Sequence, residues 1–357
     1  MIIAALTTAA ALVSCSDDQP DPTAPELSTA EVSDVTQTTA KISSGIVSDG
    51  NGTITDVGVI YGKEAGVTLE NGTKKSIDGN QEGDFSVTLD GLDDWETYYA
   101  KPYAVNEAGV SYGDEVSFET PPKAVRTVNV NGVELKMVFV EGGTFTMGAM
   151  EGDAKAKSYE KPVHKVTLDS YYIGMYEVTN ELWNTVIDGN ASSLPDDERL
   201  TPVVQKNWDE SNEFTSKLSE LTGMKFCLPT EAQWEYAARG GNKSKGYLYS
   251  GGNEIDPVAW YTSNTPSFQV TTVGTKQSNE LGLYDMTGNA NEWCQDWYYL
   301  YTADEQVNPV CEVVNEYGFH VMRGASFIND DTLSRVTHRF GGSGRMFFVG
   351  FRLALTK

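Results

Sequence analysis

Thiols and imidazoles carry much of protein chemistry, and this sequence has few of either. Four cysteines (Cys15, Cys227, Cys294, Cys311) and three histidines (His164, His320, His338) are scattered over 357 residues. No CxxC, HExxH, Walker loop or GxGxxG occurs, so zinc clusters, zincin-type hydrolysis and nucleotide cradles lack their ligands. A different chemistry is suggested near the C-terminus. Residues 327–348 mix aromatics, Arg, His and small polar side chains without clear periodicity: Phe327, Asn329, Thr332, Arg335, His338, Phe340, Arg345, Phe347 and Phe348. Between residues 319 and 357, Arg323, Arg335, Arg339, Arg345, Arg352 and Lys357 face only Asp330 and Asp331. Aromatic and Arg enrichment is the composition of recognition surfaces.

The whole chain has the opposite charge: 51 acidic against 26 basic residues, net −25. Nucleic acid is excluded as a partner, because phosphate binding needs clustered Lys and Arg. A basic-patch attachment to anionic lipid is excluded on the same ground. With 39% hydrophobic residues, 7 Trp, 18 Tyr and 13 Phe, the chain can bury a real core, and its length predicts two domains.

Several elements must position these side chains. Residues 1–14 are apolar and small and end at Leu12-Val13-Ser14-Cys15, which is similar to a bacterial lipoprotein signal. The stretch is too short to span a bilayer. The resemblance implies a signal peptide over 1–14, a lipidated Cys15, a polar tether over 15–24 and anchorage to the outer membrane. Ser16-Asp17-Asp18 resembles the acidic surface-export signal of Bacteroidota lipoproteins, which places the protein on the cell exterior. With Cys15 lipidated, Cys227, Cys294 and Cys311 allow one disulfide at most.

Residues 25–120 predict short strands (39–46, 55–61, 84–89, 98–106 and 115–120) separated by turns such as Gly50-Asn51-Gly52, hence an all-β sandwich. The run Leu92-x5-Tyr98, Tyr103-Ala104-Val105-Asn106-x2-Gly109, Tyr112-Gly113, Phe118-x-Thr120 resembles a fibronectin type III domain, which implies a spacer. Pro121-Pro122 opens a linker over 121–126. From 127 to 357 helical patterns enter. Residues 137–140 and 144–148, around Glu141-Gly142-Gly143, predict a hairpin, and residues 164–168 and 171–176 a second strand pair. Helices are predicted after Thr179, over 209–222, and after Thr230, where Gln233 completes a capping box and Gly240 or Gly241 ends the helix.

The second domain carries a denser set of motifs. Phe139-x2-Gly142-Gly143-x-Phe145-x-Met147-Gly148, Glu177-Val178-Thr179-Asn180, Leu228-Pro229-Thr230-Glu231-Ala232-x-Trp234-Glu235, Gly282-Leu283-Tyr284-Asp285-Met286-x-Gly288-Asn289, Glu292-Trp293-Cys294-x-Asp296-Trp297-Tyr298, Arg323-Gly324-x-Ser326 and Gly350-Phe351-Arg352 occur in order. Together they resemble the formylglycine-generating enzyme (sulfatase-modifying factor) family. The resemblance implies an α+β, C-type-lectin-like domain with much irregular structure, in which Trp234, Trp293, Trp297 and Phe351 are core and Arg323 and Arg352 are buried partners of carboxylates and carbonyls.

What the resemblance implies about chemistry is mixed. The family's oxidases bind copper through two cysteines, three and eight residues beyond the Ser of Arg-Gly-x-Ser; those positions are Asn329 and Ser334 here, and neither supplies a thiolate. Copper and oxidase activity are therefore not expected. The Trp that precedes the motif Glu in the enzymes is Asn291. A calcium site is implied at Asp285, Gly288, Ala290 and Glu292, whose side-chain and backbone oxygens suit that ion. Relatives include the variable proteins of diversity-generating retroelements, which implies an exposed binding face contributed by Phe327, Asn329, Arg335, His338, Arg345 and Phe347. The expected function is a non-catalytic, surface-anchored binding lipoprotein that recognises a protein or glycan ligand. The alternatives are a formylglycine-generating oxidase and a structural component of a gliding or secretion assembly.

Overall fold

Two contact-rich units, divided after Lys123, organise this computed structural model, which describes residues 20–77, 83–190 and 194–357. The expected signal and Cys15 lie outside the described residues.

In the first unit the alternating runs become β1 (Glu26–Leu27), β2 (Glu31–Ser33), β3 (Thr39–Ser48), β4 (Asp56–Gly62), β5 (Thr73–Ser76), β6 (Gly83–Asp90), β7 (Thr97–Asn106), β8 (Gly109–Tyr112) and β9 (Val116–Glu119). Long β3 pairs with β6 along one edge and with β1 and β2 along the other. Long β7 likewise pairs with β4 along one edge and with β8 and β9 along the other, while β5 extends β4. Side chains from both sheets, including Ile42, Val59, Val87, Leu89, Ala100 and Phe118, share one core, as period-2 patterning requires.

The second unit begins with β10 (Val125–Val130), β11 (Val133–Val140), β12 (Gly143–Met147), β13 (His164–Leu168) and β14 (Tyr171–Gly174). The predicted hairpin across Glu141-Gly142-Gly143 is not formed. Both edges of β11 are taken, by β10 and β14, and β12 pairs with β13 in another sheet. Pairing of β13 with β14 fails for the same reason. The chain changes sheet at two adjacent corners, where the Ser170 hydroxyl accepts from Gly142 N at 3.0 Å. Gly142 is required there: a Cβ would lie 2.4 Å from the Leu168 carbonyl oxygen.

Helices α1 (Asn180–Ile187), α2 (Asp196–Arg199), α3 (Trp208–Thr222) and α4 (Glu231–Ala238) follow. Thr179 caps α1, and reciprocal boxes cap α3 (Asn207 with Glu210) and α4 (Thr230 with Gln233). Gly240, at φ 93°, turns the chain away from α4. Short strands β15 (Phe226–Cys227), β16 (Asn291–Trp297), β17 (Gln306–Val307), β18 (His320–Arg323), β19 (Phe340–Gly342), β20 (Val349–Gly350) and β21 (Ala354–Leu355) complete the unit. The sheets run β10-β11-β14-β21-β15, β12-β13-β17 and β19-β18-β16-β20. Helix α4 lies at the centre, and Trp234, Tyr236, Val166, Ile173, Leu283 and Cys294 pack in the common core. Among the described residues no helix is long and apolar enough to cross a membrane.

Candidate functional site

The tight turn after β18 is where the family resemblance would place chemistry. Gly324 (φ 89°) and Ala325 (φ 61°) turn the chain sharply, and a Cβ at 324 would come within 3.1 Å of the Trp234 ring. Ser326 is fully buried. Its amide and its hydroxyl both donate to Asn329 Oδ1 at 2.8 Å, and the Asn329 carbonyl accepts from Thr262 N at 3.0 Å. Ser334 is buried and donates to the Asp330 carbonyl at 2.7 Å. Both positions thus carry amide or hydroxyl groups committed to holding the local turn.

The thiols lie elsewhere and are unsuited to a soft metal. Cys227, Cys294 and Cys311 are all free. Burial pushes Cys227 up to about 11, lifts buried Cys294 well above the ordinary thiol range, and raises Cys311. A neutral thiol is a poor copper ligand. The residues do not fit copper.

The calcium expectation meets a cation already supplied by the protein. Arg352 donates from Nε and Nη2 to the two oxygens of Glu292, each at 2.6 Å, and Trp234 Nε1 donates to Oε2 at 2.6 Å. Asp285 accepts from Gly274 N at 2.6 Å through Oδ2, and its Oδ1 is unpartnered. The amides of Gly288 and Ala290 serve the Gly324 carbonyl and Glu177 Oε1. Asp285, Gly288, Ala290 and Glu292 therefore do not fit a calcium cage, because a guanidinium takes up the Glu292 carboxylate. The surplus acid shows in the protonation behaviour: burial, with Asp285 and Glu292 close by, holds Glu177 well above the usual range, and burial brings Asp285 to about 6.

The predicted binding face divides. Phe327, Arg335 and His338 are 2%, 1% and 2% exposed, so they are core residues and form no part of an exposed face. Arg335 meets Glu160 at 2.7 and 2.9 Å and Asp153 at 2.6 Å, and His338 Nε2 meets the Tyr159 hydroxyl at 2.9 Å. Burial takes the His338 imidazole down to about 4. Asn329 is half-buried, whereas Arg345 and Phe347 are exposed, with Arg345 paired to Glu210 at 2.7 Å.

The Arg enrichment thus has a structural explanation: four buried clasps. Arg323 pairs with Glu235 and donates to the Val336, Thr337 and His338 carbonyls. Arg335 pairs with Glu160, Arg339 with Glu231, and Arg352 with Glu292. Arg335, Arg339 and Arg352 grip their carboxylates bidentately, while Arg323 meets Glu235 through Nη2 alone and leaves its Nε without a partner. Charge-assisted bonds of this kind, with further donors on carbonyls, are what make such burial tolerable. The carboxylates Glu160, Glu231 and Glu235 escaped the sequence reading. The signal for Glu231 and Glu235 was their i, i+4 spacing on α4, one helical face turned toward the arginine-rich segment.

Comparison with known proteins supplies the family. Chaperone protein LppX of Paenibacillus barcinonensis is 33% identical over 211 residues, covering 45% of this chain and 71% of that protein. Serine/threonine-protein kinase Pkn1 of Chlamydia trachomatis is 30% identical over 268 residues, covering 65% of this chain but only 41% of the kinase. The solved structure of Treponema denticola variable protein 1 superposes with a TM-score of 0.58 at 27% identity, covering 66% of this chain and all of that one. Residues 123–357 match the sulfatase-modifying factor enzyme 1-like domain, and the chain belongs to that family.

Proposed function

We propose that the second unit is a non-catalytic recognition module on a lipid-anchored surface protein, with the first unit, a fibronectin type III-like sandwich, as its spacer. The observation that carries this reading is the turn at Ser326. Where the family's oxidases place copper thiolates, Asn329 and Ser334 spend their polar groups on the Ser326 turn and the Asp330 carbonyl. A domain whose relatives are named as a chaperone, a kinase and a variable protein is one frame serving several ends. The C-type-lectin-like frame would present a protein or glycan ligand with the side chains that remain accessible beside that turn, Asn329, Arg345 and Phe347.

The test has two arms. The full chain, incubated with Cu(I) and a cysteine-containing sulfatase peptide, should leave the peptide mass unchanged; conversion of the cysteine to formylglycine overturns the reading. On a glycan and host-protein array, Phe347→Ala and Arg345→Ala should abolish whatever signal the parent gives, without lowering its melting temperature. Signal retained by both variants would remove this face from consideration.

A further inference from the structure

The segment joining β16 to β18 has no part in the site above, yet its surface is unusual. Of sixteen large hydrophobic side chains exposed among the described residues, seven fall between residues 299 and 317. Leu300, Val307, Val314 and Tyr317 are 60–71% exposed, on a stretch whose one strand is the two-residue β17 and which is otherwise held by bonds such as Trp297 N to the Cys311 carbonyl at 2.9 Å. A concentration of exposed apolar side chains of this kind marks an interaction surface. Its charges have one sign: Asp304, Glu305, Glu312 and Glu316 are exposed, and residues 299–317 contain no Lys or Arg.

A cavity of about 280 Å³ opens beside this segment, lined by Leu300, Val310 and Val313 together with Glu231, Asp296 and Arg339. These two buried acids differ. Glu231 is clasped by Arg339 at 2.7 and 2.6 Å. The 5%-exposed Asp296 carboxylate instead accepts from two backbone amides, Glu231 N at 2.7 Å and Cys311 N at 2.8 Å, and not from a guanidinium or ammonium. With the Arg339 guanidinium of the same cavity committed to Glu231, the charge left over is the Asp296 carboxylate, and apolar walls around it suit a methylene stem ending in a positive charge. A purely apolar occupant would desolvate Asp296 further without compensation, and an acidic one would be repelled.

We propose that the strip over residues 299–317 docks a basic, apolar segment of a partner protein, and that the cavity between Leu300, Val310 and Val313 receives a lysine or arginine side chain whose charge lies against Asp296. Charge complementarity selects this occupant. An anionic membrane surface would be repelled by the four exposed carboxylates, and a second copy of a chain carrying −25 would meet its own acidic strip. The proposal rests on the reading of this unit as a binding module but fails separately from it: turnover of a sulfatase peptide would overturn that reading and leave the strip untouched.

The experiment pans the full chain against a phage-displayed random peptide library, with a Leu300→Asp/Val313→Asp variant as the counter-target. Enriched peptides should carry Lys or Arg flanked by apolar residues. A synthesised winner should lose affinity about tenfold or more when that Lys becomes norleucine, and by as much when either Leu300→Asp or Val313→Asp is introduced. Asp296→Asn should weaken basic peptides and spare the norleucine analogue. Absence of enrichment over the variant, enrichment of peptides lacking a basic residue, sedimentation with anionic vesicles that the variant loses, or self-association abolished by Val313→Asp would each overturn the proposal.

Discussion

Arg339 grips Glu231 through two parallel hydrogen bonds, Nε to Oε1 at 2.7 Å and Nη2 to Oε2 at 2.6 Å, while the Tyr301 ring lies 3.9 Å from its guanidinium carbon. Both partners are buried, so neither can be removed alone without stranding the other. Arg339→Ala or Glu231→Ala should cost about 3–5 kcal/mol. Arg339→Lys should recover little of that, because an ammonium cannot reproduce the fork or the stacking. Urea unfolding of the purified protein measures both; a loss under about 1 kcal/mol for either alanine variant would contradict the clasp.

Acidification should at first stabilise the protein. In the folded state burial, with Glu231 close by, lifts Asp296 to about 7, and burial lifts Asp285 to about 6, against 3.8 for the unreacted side chain. Between about pH 4 and 7 the folded form therefore holds more protons than the unfolded form, and stability grows as pH falls. His338 opposes this: its folded value of about 4 lies below 6.5, so the unfolded form binds its proton first and stability falls with pH over 6.5 to 4. Three raised acids, Glu177 among them, outweigh His338 and the likewise lowered His320 at about 1.4 kcal/mol per unit. Unfolding free energy should thus be larger near pH 5 than at pH 8. Asp296→Asn should flatten that rise, and a stability that only declines below pH 8 would refute the assignment.

Thiol labelling should proceed in a fixed order under native conditions. Half-buried Cys311 reacts first and slowly, Cys227 next, and fully buried Cys294 only on unfolding. A burst of one or two equivalents at neutral pH would reveal a thiolate and contradict the raised values.

Two glycines separate backbone strain from collision. Gly288 has φ 81° and a Cβ there would lie 2.2 Å from the Trp260 carbonyl oxygen; Gly282 has φ 86° and nothing within 4 Å. Gly282→Ala should cost about 1 kcal/mol from the left-handed backbone alone. Gly288→Ala should cost about 3 kcal/mol or more, since the carbonyl must also move. Equal losses in a denaturant titration would show that the 260–288 contact yields freely.

Chelation gives the last check. Because Arg352 takes up both oxygens of Glu292, a chelator should leave the melting temperature of the second unit unchanged. A clear drop, restored by calcium, would return the ion to Asp285.

Local signals in the sequence were legible where one element decides its own fate. Thr179 and Thr230 marked helix starts, and alternation in β3 and β6 marked strands, because caps and period-2 burial are properties of a short window. The hairpin around Gly142-Gly143 failed because pairing depends on which edges of β11 are already occupied, a fact of distant residues. The binding face failed similarly at Arg335 and His338. Composition reported arginines and aromatics, but whether an Arg faces solvent or Glu160 depends on a carboxylate 175 positions away. The calcium expectation rested on four oxygen donors and overlooked that Arg352 could supply the charge.

The four clasps also order events in time. Every arginine lies within residues 323–352, and every carboxylate it answers, Glu235, Glu160, Glu231 and Glu292, precedes it. During synthesis the acids emerge first; Glu235 has an early partner in Arg239, but Glu160, Glu231 and Glu292 cannot be buried, since uncompensated charges in an apolar interior are prohibitive. The sheets and α4 must then wait as a loosely assembled chain until the ribosome has passed Arg352. A nascent chain halted before Arg323 would remain unfolded throughout this unit, not folded minus one strand.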